Sequence, residues 1–367
     1  MTEYSISPPE LLCRSVEAIC VVEAVGSNEE LLALANVELQ IHTYKIRTGT
    51  GSTVSYLNID ESNVDEQPAA RILELPADQL DGSWDYLYYY PDVKTKLLHF
   101  ITTISGLHWT SLFSFSRLIL LHGPAGSGKT SLCRALAQKI SIRLSSRFSR
   151  TRLVEINAHA LCSKWFSESG KLVGRLFDNI LTMLEDEDLF ILVLIDEVES
   201  LVSAREAMSG NEPIDSLRVV NALLTALDKL QYRKNVIVLT TTNLLNTMDL
   251  AFLDRADIKQ YIGCPGAETC YAILRSSLNE LIRCQIIDSV SIPPWSEASL
   301  MLYSQPGASS SKLWDIAKEC AKRSLSGRSL KKLPILMHAG WIQQATCSID
   351  EALGALCKCI HQEDASL

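Results

Sequence analysis

Eight consecutive residues, Gly123, Pro124, Ala125, Gly126, Ser127, Gly128, Lys129 and Thr130, fit the pattern G-x-x-x-x-G-K-[ST], with Ser131 next in line. The chemistry such a run can do is phosphate binding. Glycines let several backbone N–H groups turn toward one anion, and lysine reaches the outer phosphates of a nucleoside triphosphate. The threonine hydroxyl is a hard oxygen donor for Mg²⁺. A helix pattern opens near Thr130, so the phosphate would lie against unpaired N–H groups and the positive end of the helix dipole. ATP and Mg²⁺ are therefore the expected ligands. A second reactive pair, Asp196 and Glu197, ends an apolar run further along the chain. Hydrolysis of a triphosphate needs one carboxylate near the metal and one that polarises the attacking water. Asp196 is assigned to the metal shell and Glu197 to the water.

These residues need a frame that holds a loop and a strand end side by side. From Arg117 to about Gly263, short apolar runs alternate with helix patterns. Leu118 to Leu121, Leu153 to Ile156, Phe190 to Ile195, Val236 to Thr240 and Ile258 to Ile262 read as five strands. Such alternation predicts an α/β fold with an open parallel sheet covered on both faces. A helix is expected from Asp92 to about Ile104, with Asp92 as its cap. Strand-like runs at 18–22 and 37–41 suggest a small α+β N-terminal domain over 1–82, and the polar stretch from Arg47 to Pro68 reads as a long loop. The large domain is expected over 83–263. Residues 264–367 lose the strand pattern and read as a small helical domain.

Several separate blocks resemble AAA+ ATPases, and within them the branch that remodels HORMA-domain proteins. The blocks are Gly123 to Thr130, Ile191 to Glu197 and Thr242-Asn243, with Ser163 to Val173, Asp254 to Gly263 and Leu325 to Pro334 beside them. The resemblance implies an AAA+ large domain, a helical lid, a client- or adaptor-binding N-terminal domain and a homohexameric ring. It implies that Asn243 orients the attacking water and that Arg255 reaches the γ-phosphate of a neighbouring subunit. It also implies that Arg328 senses nucleotide from the lid and that Trp165 and Phe166 grip a substrate in a central pore. A second substrate-facing loop is expected from Ser203 to Asp215. The chain departs from the common pattern at Ser167, where most members carry glycine, and at Ile258, where many carry a second arginine. The clients implied are HORMA-domain proteins of meiotic chromosomes and the spindle checkpoint, in nucleus and cytoplasm.

Taken from the residues alone, plainer roles stand beside these. Asn243 fits a strand-end turn, Arg255 an ion pair with Asp254 or Asp257, and Arg328 a solvated helix position. Trp165 and Phe166 fit a staple on the domain's own core. Two other functions would share the ATP site: a nucleotide-gated scaffold with little turnover, and a loader acting on nucleic acid. Glu197, Asn243 and Arg255 argue against the first. The formal net charge of −9 argues against the second, since nucleic-acid binders usually carry a basic surface. No apolar run approaches the ~20 residues of a membrane helix, and no secretory leader is expected from the N-terminal residues. The 11 cysteines lack C-x-x-C pairs and read as reduced thiols. The 7 histidines show no metal-binding spacing.

Overall fold

The computed structural model describes residues 42, 44–46, 54–57, 68–106, 115–158, 161, 169–202, 213–301, 308–342 and 346–363. Seven strands form one sheet: β1 (Val54–Leu57), β2 (Ala70–Leu75), β3 (Leu118–His122), β4 (Arg150–Asn157), β5 (Leu189–Asp196), β6 (Val236–Thr242) and β7 (Ala256–Tyr261). Their spatial order is β1-β2-β4-β5-β6-β3-β7. The five strands from β3 to β7 are parallel, and β1 and β2 add an antiparallel edge through Ala70↔Ile156 and its neighbours. The parallel core is the sheet expected from the alternation of strands and helices.

The sheet takes its two faces from the two-residue period of a strand. On β5, Ile191, Val193 and Ile195 enter one core while Phe190, Leu192 and Leu194 enter the other. Helices α3 (Ser169–Met183) and α4 (Pro213–Leu230) cover the first face through Val173, Leu176, Phe177, Leu223 and Leu227. Helices α1 (Val93–Gly106) and α2 (Lys129–Arg143) cover the second through Leu97, Ile101, Leu132 and Leu136. Burying each such side chain contributes about 1.5–3 kcal/mol, and a strand covered on both sides must be apolar throughout. The first seven residues of β5 are buried. Asp92 caps α1, its Oδ1 accepting from Thr95 N at 3.2 Å.

A short helix, α5 (Leu250–Arg255), leads into β7, and residues 262–266 then run without helix or strand to α6 (Ala267–Arg283). Helices α7 (Trp295–Met301), α8 (Ser309–Lys322), α9 (Gly327–Trp341) and α10 (Ile349–Glu363) complete a helical lid. The lid has its own core around Tyr271, with the Trp295 and Trp314 rings stacked 3.7 Å apart beside it.

Two expectations change. Val54–Leu57 lies in the stretch read as a loop, yet it pairs with β2. Residues 70–75, read as part of a separate N-terminal domain, extend the large sheet because their backbone completes the β4 edge. A polar neighbourhood hid a strand whose partner is remote in sequence. The runs at 18–22 and 37–41 lie outside the described residues.

Candidate functional site

The parallel strands point their C-terminal ends to one edge, where open α/β sheets bind ligands. There β3 passes into the loop 123–128. A Cβ on Gly123 would lie 2.0 Å from the Ile262 carbonyl oxygen, so no other residue fits where β3 passes the connection to the lid. Gly128 has φ 95° and caps α2 with no side chain of its own. The first N–H groups of α2 are thus left for an anion. Lys129 folds back over the loop. Its Nζ donates to Gly123 O at 2.8 Å, Pro124 O at 2.9 Å and Asn243 Oδ1 at 2.7 Å. Burial lowers its pKa, while the charges of Glu199, Asp196 and Glu197 pull it back up.

The residues fit a triphosphate and its metal. Ser127 Oγ is buried in the loop without a hydrogen-bond partner, an arrangement that a phosphate oxygen would complete. Thr130 Oγ1 donates to Asp196 Oδ1 at 2.7 Å, bringing together two oxygen donors of the kind Mg²⁺ takes. Thr130 and Asp196 would hold the ion, which would offset the negative charge of the phosphates. No group of three or more His, Cys, Asp or Glu suited to a metal occurs among the described residues.

Thr241 joins the Asp196 carboxylate to the Glu197 backbone. Its buried hydroxyl donates to Asp196 Oδ1 and accepts from Glu197 N at 3.1 Å. Glu197 has φ 53° and ψ 50°, a left-handed conformation uncommon outside glycine. One hydroxyl thus holds the metal carboxylate and the bend that turns Glu197 out of the strand line. Asn243 is gripped from two sides, by Lys129 at its side chain and by Glu199 Oε1, which accepts from Asn243 N at 3.0 Å.

The lid closes onto this loop. Ser326 caps α9, its Oγ accepting from Ser329 N at 3.1 Å, and Arg328 N donates to Gly126 O at 3.2 Å. A Cβ on Gly126 would lie 2.8 Å from Ser326 Oγ. Arg328 therefore sits at the phosphate loop, with its side chain exposed. From the other side, Tyr89 OH donates to Gly128 O at 3.3 Å. Burial pushes this phenol well above its usual range, so it stays protonated. Its neighbour Tyr88 packs against the lid core. At the end of β3, His122 packs on Tyr261 with ring centroids 5.4 Å apart. Partial burial and the Lys129 charge hold its imidazole below the usual range.

Arg255 is held elsewhere. Its Nε and Nη2 donate to the two Asp228 oxygens at 2.7 and 2.8 Å, and Nη1 donates to Ala251 O at 2.8 Å. Its ion-pair partner is thus Asp228 on α4, and not the adjacent Asp254 or Asp257. Asp257 instead anchors the start of β3, accepting from Ser116 N and Leu118 N. Trp165 and Phe166 lie outside the described residues, as does 203–212 of the second expected loop, whose last residues open α4.

The structure thus brings Lys129, Thr130, Asp196, Asn243 and the Arg328 backbone together and leaves Arg255 apart. Thr241, Glu199, Ser326, Asp228 and Tyr89 were not picked out as site residues. Three successive threonines at the end of a buried strand are a legible signal for Thr241. Asp228 has none, being one of two acids on an amphipathic helix remote in sequence from Arg255.

The family model for ATPases associated with various cellular activities (AAA) matches residues 119–264, and that for the TRIP13-like AAA+ ATPase lid C-terminal domain matches 266–364. The Pachytene checkpoint protein 2 homolog of Danio rerio is 42% identical over 98% of this chain and 85% of its own length. The solved structure of C. elegans PCH-2 superposes with a TM-score of 0.72 at 33% identity, covering 88% of this chain and 79% of the other. A chain of the E. coli MS115-1 HORMA:CdnC:Trip13 complex shares the fold, with a TM-score of 0.61 at 18% identity over 78% of this chain and 94% of the other. Phosphate loop, paired carboxylates, lid and near-full-length likeness converge: the chain belongs to the pachytene checkpoint protein 2 family of AAA ATPases.

Proposed function

We propose that the chain is an ATP-driven remodeller of HORMA-domain proteins, working as a homohexameric ring in nucleus and cytoplasm. The observation that carries this is the linked set Lys129–Asn243, Thr130–Asp196 and Arg328–Gly126, which ties phosphate loop, strand ends and lid into one unit. Lys129 and the loop N–H groups hold the phosphates. Glu197 takes a proton from the attacking water, and the Asn243 amide orients that water. Arg255 of one subunit stabilises the charge that develops on the γ-phosphate in the next. A changed lid angle, read through Arg328, moves Trp165 and Phe166 along the ring axis, and their faces grip an extended client segment. The residues that precede β1 recruit the client, directly or through an adaptor. A domain is held by only ~5–15 kcal/mol, so repeated turnovers suffice to open one locally. The names of the relatives, and the HORMA partner in one structure of like fold, support this client class.

Glu197→Gln tests the engine. It should keep ATP affinity, lose phosphate release and accumulate a six-subunit assembly by mass measurement. Normal phosphate release would remove Glu197 as the base, and a monomer under all conditions would remove the ring. Trp165→Ala should keep ATP hydrolysis and lose HORMA remodelling; remodelling that survives removes the pore.

A further inference from the structure

Arg255 stands at the end of a helix of six residues, too short to be stable alone. Asp249 caps that helix, accepting from Ala251 N at 2.8 Å, and Phe252 roots it in the core. Neither fixes the long arginine side chain. Asp228 does. It rides on the last turn of α4, an 18-residue helix anchored by the buried Leu223, Leu227 and Leu230. Both of its oxygens are taken by the Nε–Nη2 side of the guanidinium, and Ala251 O takes one N–H of Nη1. A guanidinium has five N–H donors in a rigid fork. This side-on grip uses three and leaves one N–H on Nη1 and one on Nη2, the two nitrogens of the end-on edge. Paired guanidinium nitrogens of this kind fork onto two oxygens of a phosphate.

We propose that Asp228 is the positioning residue of Arg255, holding its guanidinium side-on so that the end-on edge is presented, already oriented, to the phosphate of an adjoining subunit. This rests on the trans role given to Arg255 above. Asp228 itself touches no reacting atom. Pre-orientation matters because the donor then has little rotamer freedom to lose when charge develops.

Full-length Asp228→Asn, which keeps shape and removes charge, is compared with Asp228→Ala and Arg255→Ala. Asp228→Asn should lower kcat roughly 10–100-fold with KM for ATP within about twofold. It should also weaken binding of ADP–aluminium fluoride, a mimic of the transferring phosphoryl group, and leave ADP binding unchanged. Co-assembly supplies the readout that a structural defect would not give. Asp228→Ala subunits lend intact phosphate loops, and Lys129→Ala subunits lend intact Asp228–Arg255 pairs. The mixture should hydrolyse ATP faster than the sum of its parts. Wild-type or raised turnover in Asp228→Asn, beside a deficient Arg255→Ala, would overturn the proposal, as would a mixture no faster than that sum. Wild-type turnover in Arg255→Ala would instead overturn the trans role beneath it.

Discussion

The phosphate-loop face and the Arg255 face of the large domain are built on opposite plans. At the first, residues from β3, β5, β6, α2 and the lid bond to one another within one chain. At the second, one arginine is clamped by one aspartate, with 28% of its side chain still exposed. The first face is tied together within one chain and leaves the Ser127 hydroxyl and the first N–H groups of α2 for an anion. The second holds a charged group ready and supplies no ligand contact of its own. Under the proposed function, a reaction that needs both is coupled to how subunits meet.

Breaking the first face should have the largest effect. Lys129→Ala removes the ammonium that joins both loop carbonyls to Asn243, and should weaken ATP binding about 100-fold or more, ~2.7 kcal/mol. Calorimetric titration measures it, and unchanged affinity would contradict the phosphate-loop assignment. Thr241→Val comes next. It leaves Glu197 N and Asp196 without their shared hydroxyl, which should cost about 1–3 kcal/mol of stability and lower kcat with it. A full-rate, equally stable variant would show that the hydroxyl organises nothing. Tyr89→Phe is a smaller probe of the same face. Its hydrogen bond to Gly128 O is long for O–H···O, so the loss should sit near the low end of about 0.5–1.5 kcal/mol. The readout is a modest rise in KM for ATP, and a fall in kcat alone would count against a loop-holding role.

The smallest effect belongs to the outward face and concerns pH. The hydrogen bond from Arg255 is the main cause that holds Asp228 below the ordinary carboxylate range. Its folded value is thus lower than its unfolded value. The stability it contributes is complete above the unfolded pKa near ~4 and is lost as pH falls through the lower folded value. From about pH 6 to 9 the group is ionised in both states, so the gap in unfolding midpoint between wild type and Asp228→Asn should stay constant. A gap that changes across this range would show that the clamp titrates and is not a fixed support.

What was legible in the sequence was whatever its local chemistry forces. A contiguous loop of fixed spacing, buried strands that must be apolar on both faces, and a strand ending in Asp196-Glu197 need no knowledge of distant residues. Val54–Leu57 escaped because a short edge strand in polar surroundings is defined by its partner. Tyr89, 39 positions before the carbonyl it bonds, lay in an aromatic run that reads equally well as packing.

By itself, then, the order of residues pointed to a triphosphate-binding loop on an α/β sheet followed by a small helical domain, because those features rest on short-range backbone and burial rules. Only the tertiary structure decided that Thr241 joins the Asp196 carboxylate to the Glu197 backbone, that α9 starts against Gly126, and that Arg255 answers to Asp228 and not to its neighbours in sequence. Those pairings depend on which side chains the packed helices and strand ends bring within about 3 Å, a distance set by the whole fold and by no single stretch of it.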